Sequence, residues 1–253
     1  MIDNDIISEI KRLALFYESA NFFSDPDNPD TPIDPSWFMH QVEGERNQET
    51  TAFLASSLSF GSRKQFLPKI QQLLDIYFSE QLPPDTTDCF YRMFTCRDMR
   101  AFLSRYRELI SEYGSLKEYV ISVCRPDEDC GKRHTADVLR GLTSAFASGQ
   151  HSPIPKDCVS SCKRLCMFLR WMVRDNSPVD LGIWSDIIDK RTLIIPLDTH
   201  VMQQANRLSL IQSRTTSMTT ARKLTEKLLT IFPDDPLKGD YALFGYGVDS
   251  SRK

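Results

Sequence analysis

Apolar residues recur at three- and four-residue spacing along almost the whole of this 253-residue chain, and one short run, Thr192 to Leu197, breaks the pattern with extended, β-branched character. Such periodicity is the signature of amphipathic helices. One extended run cannot build a sheet, because a strand needs a partner for its backbone groups. The expected fold class is therefore all-α. The chain is also long enough to bury a core that needs no disulfide staple.

The pattern divides as follows. Ile6, Ile7, Ile10, Leu13, Ala14 and Tyr17 predict a first helix, and the run of Asp and Pro from Asp25 to Pro35 predicts a loop. Glu49 to Phe60 reads as a helix closed by Gly61, followed by a second helix with Phe66, Ile70, Leu73, Leu74 and Tyr77 that Pro83-Pro84 ends. Further helices fit 98–112, 115–123 and 133–147. After a turn-rich link at Gly149 to Asp157, Ser160 or Ser161 is placed to cap a helix carrying Leu165, Phe168, Leu169, Met172 and Val173. Asp198 stands where a cap belongs, before Val201, Ala205 and Leu208, and the last helices fit 218–231 and 237–246. Residues 1–253 read as one helical unit. Its lobes cover about 45–132 and 133–231, with 1–44 and 232–253 packing against them.

Composition removes several classes of function. Apolar runs are only a handful of residues long, and no basic stretch followed by an apolar one opens the chain, so neither a membrane span nor a secretory leader is expected. The seven cysteines contain no CxxC pair; no metal or cofactor is expected, and a reducing cytoplasm is. Cys158, Cys162 and Cys166, spaced by four, are expected on one helical face. The net charge of -3 argues against indiscriminate coating of nucleic acid, yet residues 161–223 hold ten Lys/Arg against five Asp. A local excess of +5 suits an anionic partner touched at one place, and equally a solvated helical surface.

Two places carry chemistry. In Pro196-Leu197-Asp198-Thr199-His200-Val201, a carboxylate sits at a helix start, where unpaired amides and the helix dipole favour its charge. In Ser160-Ser161-Cys162-Lys163-Arg164, a lysine falls in a first helical turn, where partial burial and a neighbouring arginine lower the pKa of an amine nucleophile. Each also has a plain reading: Asp198 as an ordinary N-cap, Lys163 as a surface cation. Arg170 and Arg174 follow Lys163 on its helix and can meet phosphates, while Trp171 can be a base wedge or core.

The run from Pro196 to Val201 with Asn206-Arg207-Leu208 resembles the aspartate signature of the helix-hairpin-helix/GPD superfamily of base-excision DNA glycosylases, which includes endonuclease III and the 8-oxoguanine glycosylases. More broadly the chain resembles a bacterial family known as domain of unknown function 2400. The matching pieces are Asn47-Gln48-Glu49 with Ala52 to Gly61 and Arg63, Lys163 to Arg174, Val179 to Trp184, Pro196 to His200 and Ala242 to Gly247. What the resemblance implies is a helix-hairpin-helix DNA-glycosylase-like fold with two lobes around a cleft, taking a damaged base flipped out of duplex DNA. Lys163 is then the nucleophile of a glycosylase with AP lyase activity, and Asp198 the essential carboxylate. His200 and Arg207 support the Asp198 helix. Arg164, Arg170, Arg174 and Arg207 are implied backbone contacts, and Phe60, Trp171 or Trp184 stacks on the base. The glycine-rich hairpin of those enzymes is missing between Pro155 and Cys162, so Ser160, Ser161 and the first-turn amides take its phosphate-binding part. No cysteine follows Cys166, so no iron–sulfur cluster is expected. The implied state is a monomer without an obligate protein partner. The missing hairpin glycines favour a second reading, a non-catalytic nucleic-acid-binding protein; the negative net charge favours a third, a helical protein-interaction domain.

Overall fold

The computed structural model describes residues 2–18, 28, 30–147 and 151–251, without the side chains of 248–251. Parts of two expected loops, 25–27 with 29 and 149–150, lie outside the described residues. The rest is mostly helical. α1 (Asn4–Tyr17) opens on Asp3, whose carboxylate accepts the Asp5 N–H, and buries Ile10, Leu13, Ala14 and Tyr17. After a 3-10 turn (Pro35–His40) come α2 (Glu45–Leu58), α3 (Arg63–Phe78), α4 (Cys96–Tyr113), α5 (Leu116–Val123) and α6 (Thr135–Ala145). The second half holds α7 (Lys163–Val173), α8 (Thr199–Arg207), α9 (Met218–Ile231) and α10 (Lys238–Ser251). No helix among the described residues is long and apolar enough to cross a membrane.

α2 is the interior helix. Every residue from Glu49 to Leu58 is buried, as expected of a helix enclosed on all sides. It packs against α3, α7 and the 3-10 turn. Its serines do not leave unsatisfied groups in that dry setting: the Ser56 and Ser57 hydroxyls donate to Phe53 C=O, and Ser59 donates to Ala55 C=O. Phe53 gathers Phe102, Tyr106, Phe146 and Phe168 around its ring, joining α4, α7 and the end of α6 to α2. At the start of the buried stretch the Glu49 carboxylate accepts the N–H groups of Leu116 (2.7 Å) and Lys117 (3.1 Å) and the indole N–H of Trp184 (2.9 Å). It thus caps α5 from a distance in sequence; burial pushes its carboxyl upward, against the pull of these three donors.

Three local expectations need correction. A small antiparallel hairpin, β1 (Cys89–Tyr91) and β2 (Phe94–Thr95), interrupts the helices, and its turn places Arg92 at a φ of 51°. Neither glycine nor asparagine marks that turn, so the usual hairpin signal is absent. Secondly, the helix after Gly61 stops at Phe78, five residues before the prolines. Thirdly, Ser160 and Ser161 do not cap α7. Cys162 occupies the cap in a left-handed conformation (φ 48°) with no side-chain cap bond, and Cys158 precedes the helix instead of sharing its face. Residues 193–197 are buried and extended outside any sheet, as the sequence suggests; Ile195 N–H donates to Thr225 Oγ1 on α9 (3.0 Å).

α10 packs against both α1 and α8. Its glycines explain why it can. A Cβ on Gly245 would lie 1.9 Å from Tyr17 Cδ2 and 2.4 Å from its Cγ, and one on Gly247 would lie 1.9 Å from His200 Nε2. Tyr17 is buried, and the atoms in conflict lie near its backbone, so it cannot swing aside cheaply. Gly245→Ala is expected to cost about 1–3 kcal/mol through overpacking; urea unfolding of the wild type and the variant measures it.

Candidate active site

Two helix starts meet at one cavity. Lys163 is the first residue of α7, and Asp198 is the cap of α8, its Oδ1 accepting the Val201 N–H at 2.9 Å. They are 35 residues apart in the chain, but the buried Ser161 hydroxyl donates to Leu197 C=O at 2.9 Å. This bond ties the residue two before Lys163 to the residue just before Asp198. Both side chains line a cavity of 510 Å³, and Oδ2 of Asp198 has no hydrogen-bond partner among the described residues. Burial lowers the Lys163 ammonium below the usual lysine range, opposed first by the Asp198 carboxylate and then by Asp240 and Asp34.

Among the charges lining the cavity, Arg170 and Arg63 have carboxylate partners, whereas Lys163 and Arg164 have none within 4.0 Å among the described residues. Arg170 donates from Nη1 to Asp240 Oδ2 at 2.5 Å, and Arg63 Nη2 lies 3.9 Å from Asp34 Oδ2. Lys163 has Asp198 as its leading electrostatic partner. Arg164 has no carboxylate among the described residues: Nη1 donates to Ser57 C=O at 2.8 Å and the guanidinium lies 4.9 Å from the centroid of the Phe60 ring. Burial lowers its pKa to about 10. Phe60 also lines the cavity, steadied by the ring edges of Tyr91 and Phe94 and by the Tyr91 hydroxyl on its own carbonyl.

Several expected contacts are replaced by structural roles. Arg174 is buried and surrounded: Nε lies 3.0 Å from Asp235 Oδ1, Nη2 lies 2.9 Å from Asp235 Oδ2 and 2.5 Å from Glu18 Oε1, and Nη1 donates to Asp180. Asp180 also accepts Arg170 Nε (3.3 Å) and the Tyr241 hydroxyl (3.0 Å). Burial opposes the charge on both arginines, but the surrounding carboxylates outweigh it and each holds its proton more tightly than usual. Arg174 therefore offers no surface to a phosphate, and Arg170 has its donors engaged by carboxylates. Trp171 and Trp184 are fully buried in the core, which replaces their expected stacking role. The basic excess of 161–223 is offset from outside the segment, by Asp240 at Arg170 and by Glu18 and Asp235 at Arg174.

His200 and Arg207 both reach α10. His200 sits over Gly247, and the Arg207 guanidinium lies 5.5 Å from the Tyr246 ring centroid. Ser160 is exposed, bridged to Ser217, and away from the cavity lining; Ser161 is part of it. Asp240, Arg63 and Asp34 join the site without having been singled out from sequence. Asp240 is an acidic residue in a first helical turn, an ordinary dipole preference, and only the packing of α10 on the rest aims it at the cavity. Burial pushes its carboxyl up, with Arg170 opposing.

A family model described as "Protein of unknown function (DUF2400)" matches residues 34–249. No curated protein and no solved structure matches the chain.

The ion cluster behind the cavity gives a direct stability test. Arg174→Met strands Asp180 and Asp235 in the interior without their shared cation, an expected loss of about 3–5 kcal/mol. Arg222→Met on the exposed face of α9 is expected to stay within about 0.5 kcal/mol of wild type. Chemical denaturation of the two variants side by side checks both.

Proposed function

This chain belongs to the DUF2400 family, and on that premise we propose that it is a DNA base-excision glycosylase with an associated lyase step, on a helix-hairpin-helix-like scaffold. One observation carries the reading: a lysine amine depressed by burial and a carboxylate with a free oxygen face one cavity from two helix starts joined by the Ser161–Leu197 bond. A glycosylase needs a nucleophile for the anomeric carbon and an anion for the positive charge that develops on the sugar. A cavity of 510 Å³ suits a single nucleotide unstacked from a duplex.

The residues divide the work as follows. Lys163 Nζ attacks C1′, the N-glycosidic bond breaks, and the base departs with the bonding electrons and takes up a proton. The Asp198 carboxylate stabilises the cationic sugar and receives the proton released when the amine becomes bonded to carbon. Ring opening leaves an iminium between Nζ and C1′. Loss of a C2′ proton then expels the 3′-phosphate by β-elimination, nicking the strand, and water hydrolyses the imine to restore the lysine. Phe60 is the remaining aromatic from the expected stacking set, at the cavity wall.

Borohydride trapping on duplexes carrying oxidised, deaminated or abasic sites tests this. The wild type is expected to give a covalent adduct that vanishes with Lys163→Ala; Asp198→Asn, which keeps a capping oxygen for α8, is expected to slow base release by 10²–10³-fold or more. Release of base with no adduct points to water activated by Asp198. Salt-sensitive duplex binding with neither adduct nor released base instead supports the non-catalytic scaffold.

The pH profile of trapping at an abasic site follows from the direction of the Lys163 shift. The free amine forms as pH rises through its pKa, so a depressed value moves the rise of trapping below the range of an exposed lysine. Asp198 holds that pKa up, so Asp198→Asn is expected to move the rise to still lower pH. Trapping rates across a pH series read both effects.

A further inference from the structure

Arg164 is the arginine of the cavity that has no carboxylate partner among the described residues. Arg170 on the same helix and Arg174 at its C-terminal cap are met by carboxylates, and Arg174 presents its Nε–Nη2 edge to Asp235 as a two-pronged fork. Arg164 has the same edge open: only Nη1 is used, by Ser57 C=O, and Nε and Nη2 have no acceptor among the described residues. These two nitrogens are not sealed in protein either, because the buried side-chain polar atoms lacking partners among those residues are Thr51 Oγ1 and Trp171 Nε1. The Ser57 bond and the cation–π contact with Phe60 hold the guanidinium in place before any ligand arrives. A half-buried arginine kept without a counter-charge in a cavity is completed by what enters it.

We propose that Arg164 is the specificity-determining residue of the cavity, and that its open fork selects a ligand with two adjacent acceptors in one plane: within the glycosylase reading, on which this rests, the O6/N7 edge of a 6-oxopurine such as deaminated adenine. A two-donor fork fits O6 and N7 side by side. It rejects adenine, which presents an amino donor at position 6. It also rejects 8-oxoguanine, whose N7 carries a hydrogen. Guanine shares the accepted edge but is held in the stack by its full pairing with cytosine. The same fork could take two oxygens of a phosphodiester, and the experiment separates that source from the base edge.

The test uses the full chain and duplexes with one unpaired bulged nucleotide on a 2′-fluorinated sugar, which resists cleavage. The bulge is deoxyinosine, deoxyadenosine, 7-deazadeoxyinosine or a base-free tetrahydrofuran, and binding is read by fluorescence anisotropy at several salt concentrations. The wild type is expected to bind the inosine bulge about 5- to 150-fold tighter than the adenosine and 7-deaza bulges. Arg164→Gln and Arg164→Lys are expected to bring those ratios toward one, Lys because it keeps the charge and loses the fork. Wild-type binding with no preference among the four bulges overturns this assignment and leaves the DNA reading standing. Absence of any duplex binding overturns both. If Arg164→Gln weakens all four duplexes alike and flattens the salt slope, the arginine holds the backbone and the base-edge assignment fails. Wild-type ratios near one overturn the assignment even if neither variant folds.

Discussion

Two arginines one helical turn apart, buried among the carboxylates of Asp180, Asp235, Asp240 and Glu18, are the constraint on which the rest of the structure depends. Charges withdrawn from water must be paired and hydrogen-bonded, so wherever α7 carries Arg170 and Arg174, the α9–α10 turn, the start of α10 and the end of α1 have to follow. Each carboxylate comes from a different part of the chain. The cluster thereby sets the position of α10 relative to α7, and Asp240 is brought to the cavity as one of its members. Hydrophobic burial alone would not specify such a geometry; α7 and α10 could slide along an apolar contact, but not past the Arg170–Asp240 bond and the two-pronged Arg174–Asp235 pair.

The cavity side of α7 is organised by smaller means. Ser161 gives up the capping role that its position suggests and bonds instead across to Leu197, which brings the turn before α7 against the extended segment before α8. α7 is left with Cys162 in a left-handed conformation at its cap, and α8 is capped by the Asp198 carboxylate itself. One oxygen of that carboxylate keeps the helix and the other faces the cavity. In the proposed reaction the capping residue and the reacting carboxylate are the same group. The conflict between Lys163 and the positive end of its helix is met by the carboxylates across the cavity rather than by any group on α7.

The sequence was informative wherever a property is local. Helix 218–231 is legible in its approximate bounds because its apolar stripe is a short-range signal. The Thr192–Leu197 run was legible as extended and buried from its β-branched, apolar character. Asp198 was legible as a cap for the same reason. What escaped is what depends on distant partners. Asp180 lies six residues after Arg174, but Asp235 and Asp240, which complete the pairing of the two arginines, lie 60 or more residues away. Trp184 reads as a candidate stacking ring until Glu49, 135 residues before it, is seen to hold its indole. Ser161 was misread as a cap because sequence shows the donor and hides the competing acceptor at Leu197. The hairpin at 89–95 was missed because Arg92 takes its left-handed turn without a residue type that prefers one.

The packing of Tyr17 against Gly245 has a consequence for how the molecule comes into being. α1 rests on α10, and the cavity takes Asp34 from near one end of the described residues and Asp240 from near the other. A nascent chain that stops short of Asp235 has neither the counter-charges for Arg174 nor the wall opposite Lys163. The amine can be made by translation well before it can be placed, and a truncated product carries the lysine without the enclosure that lowers its pKa. The cavity can close only once translation has passed Asp240 and α10 can fold back onto α1.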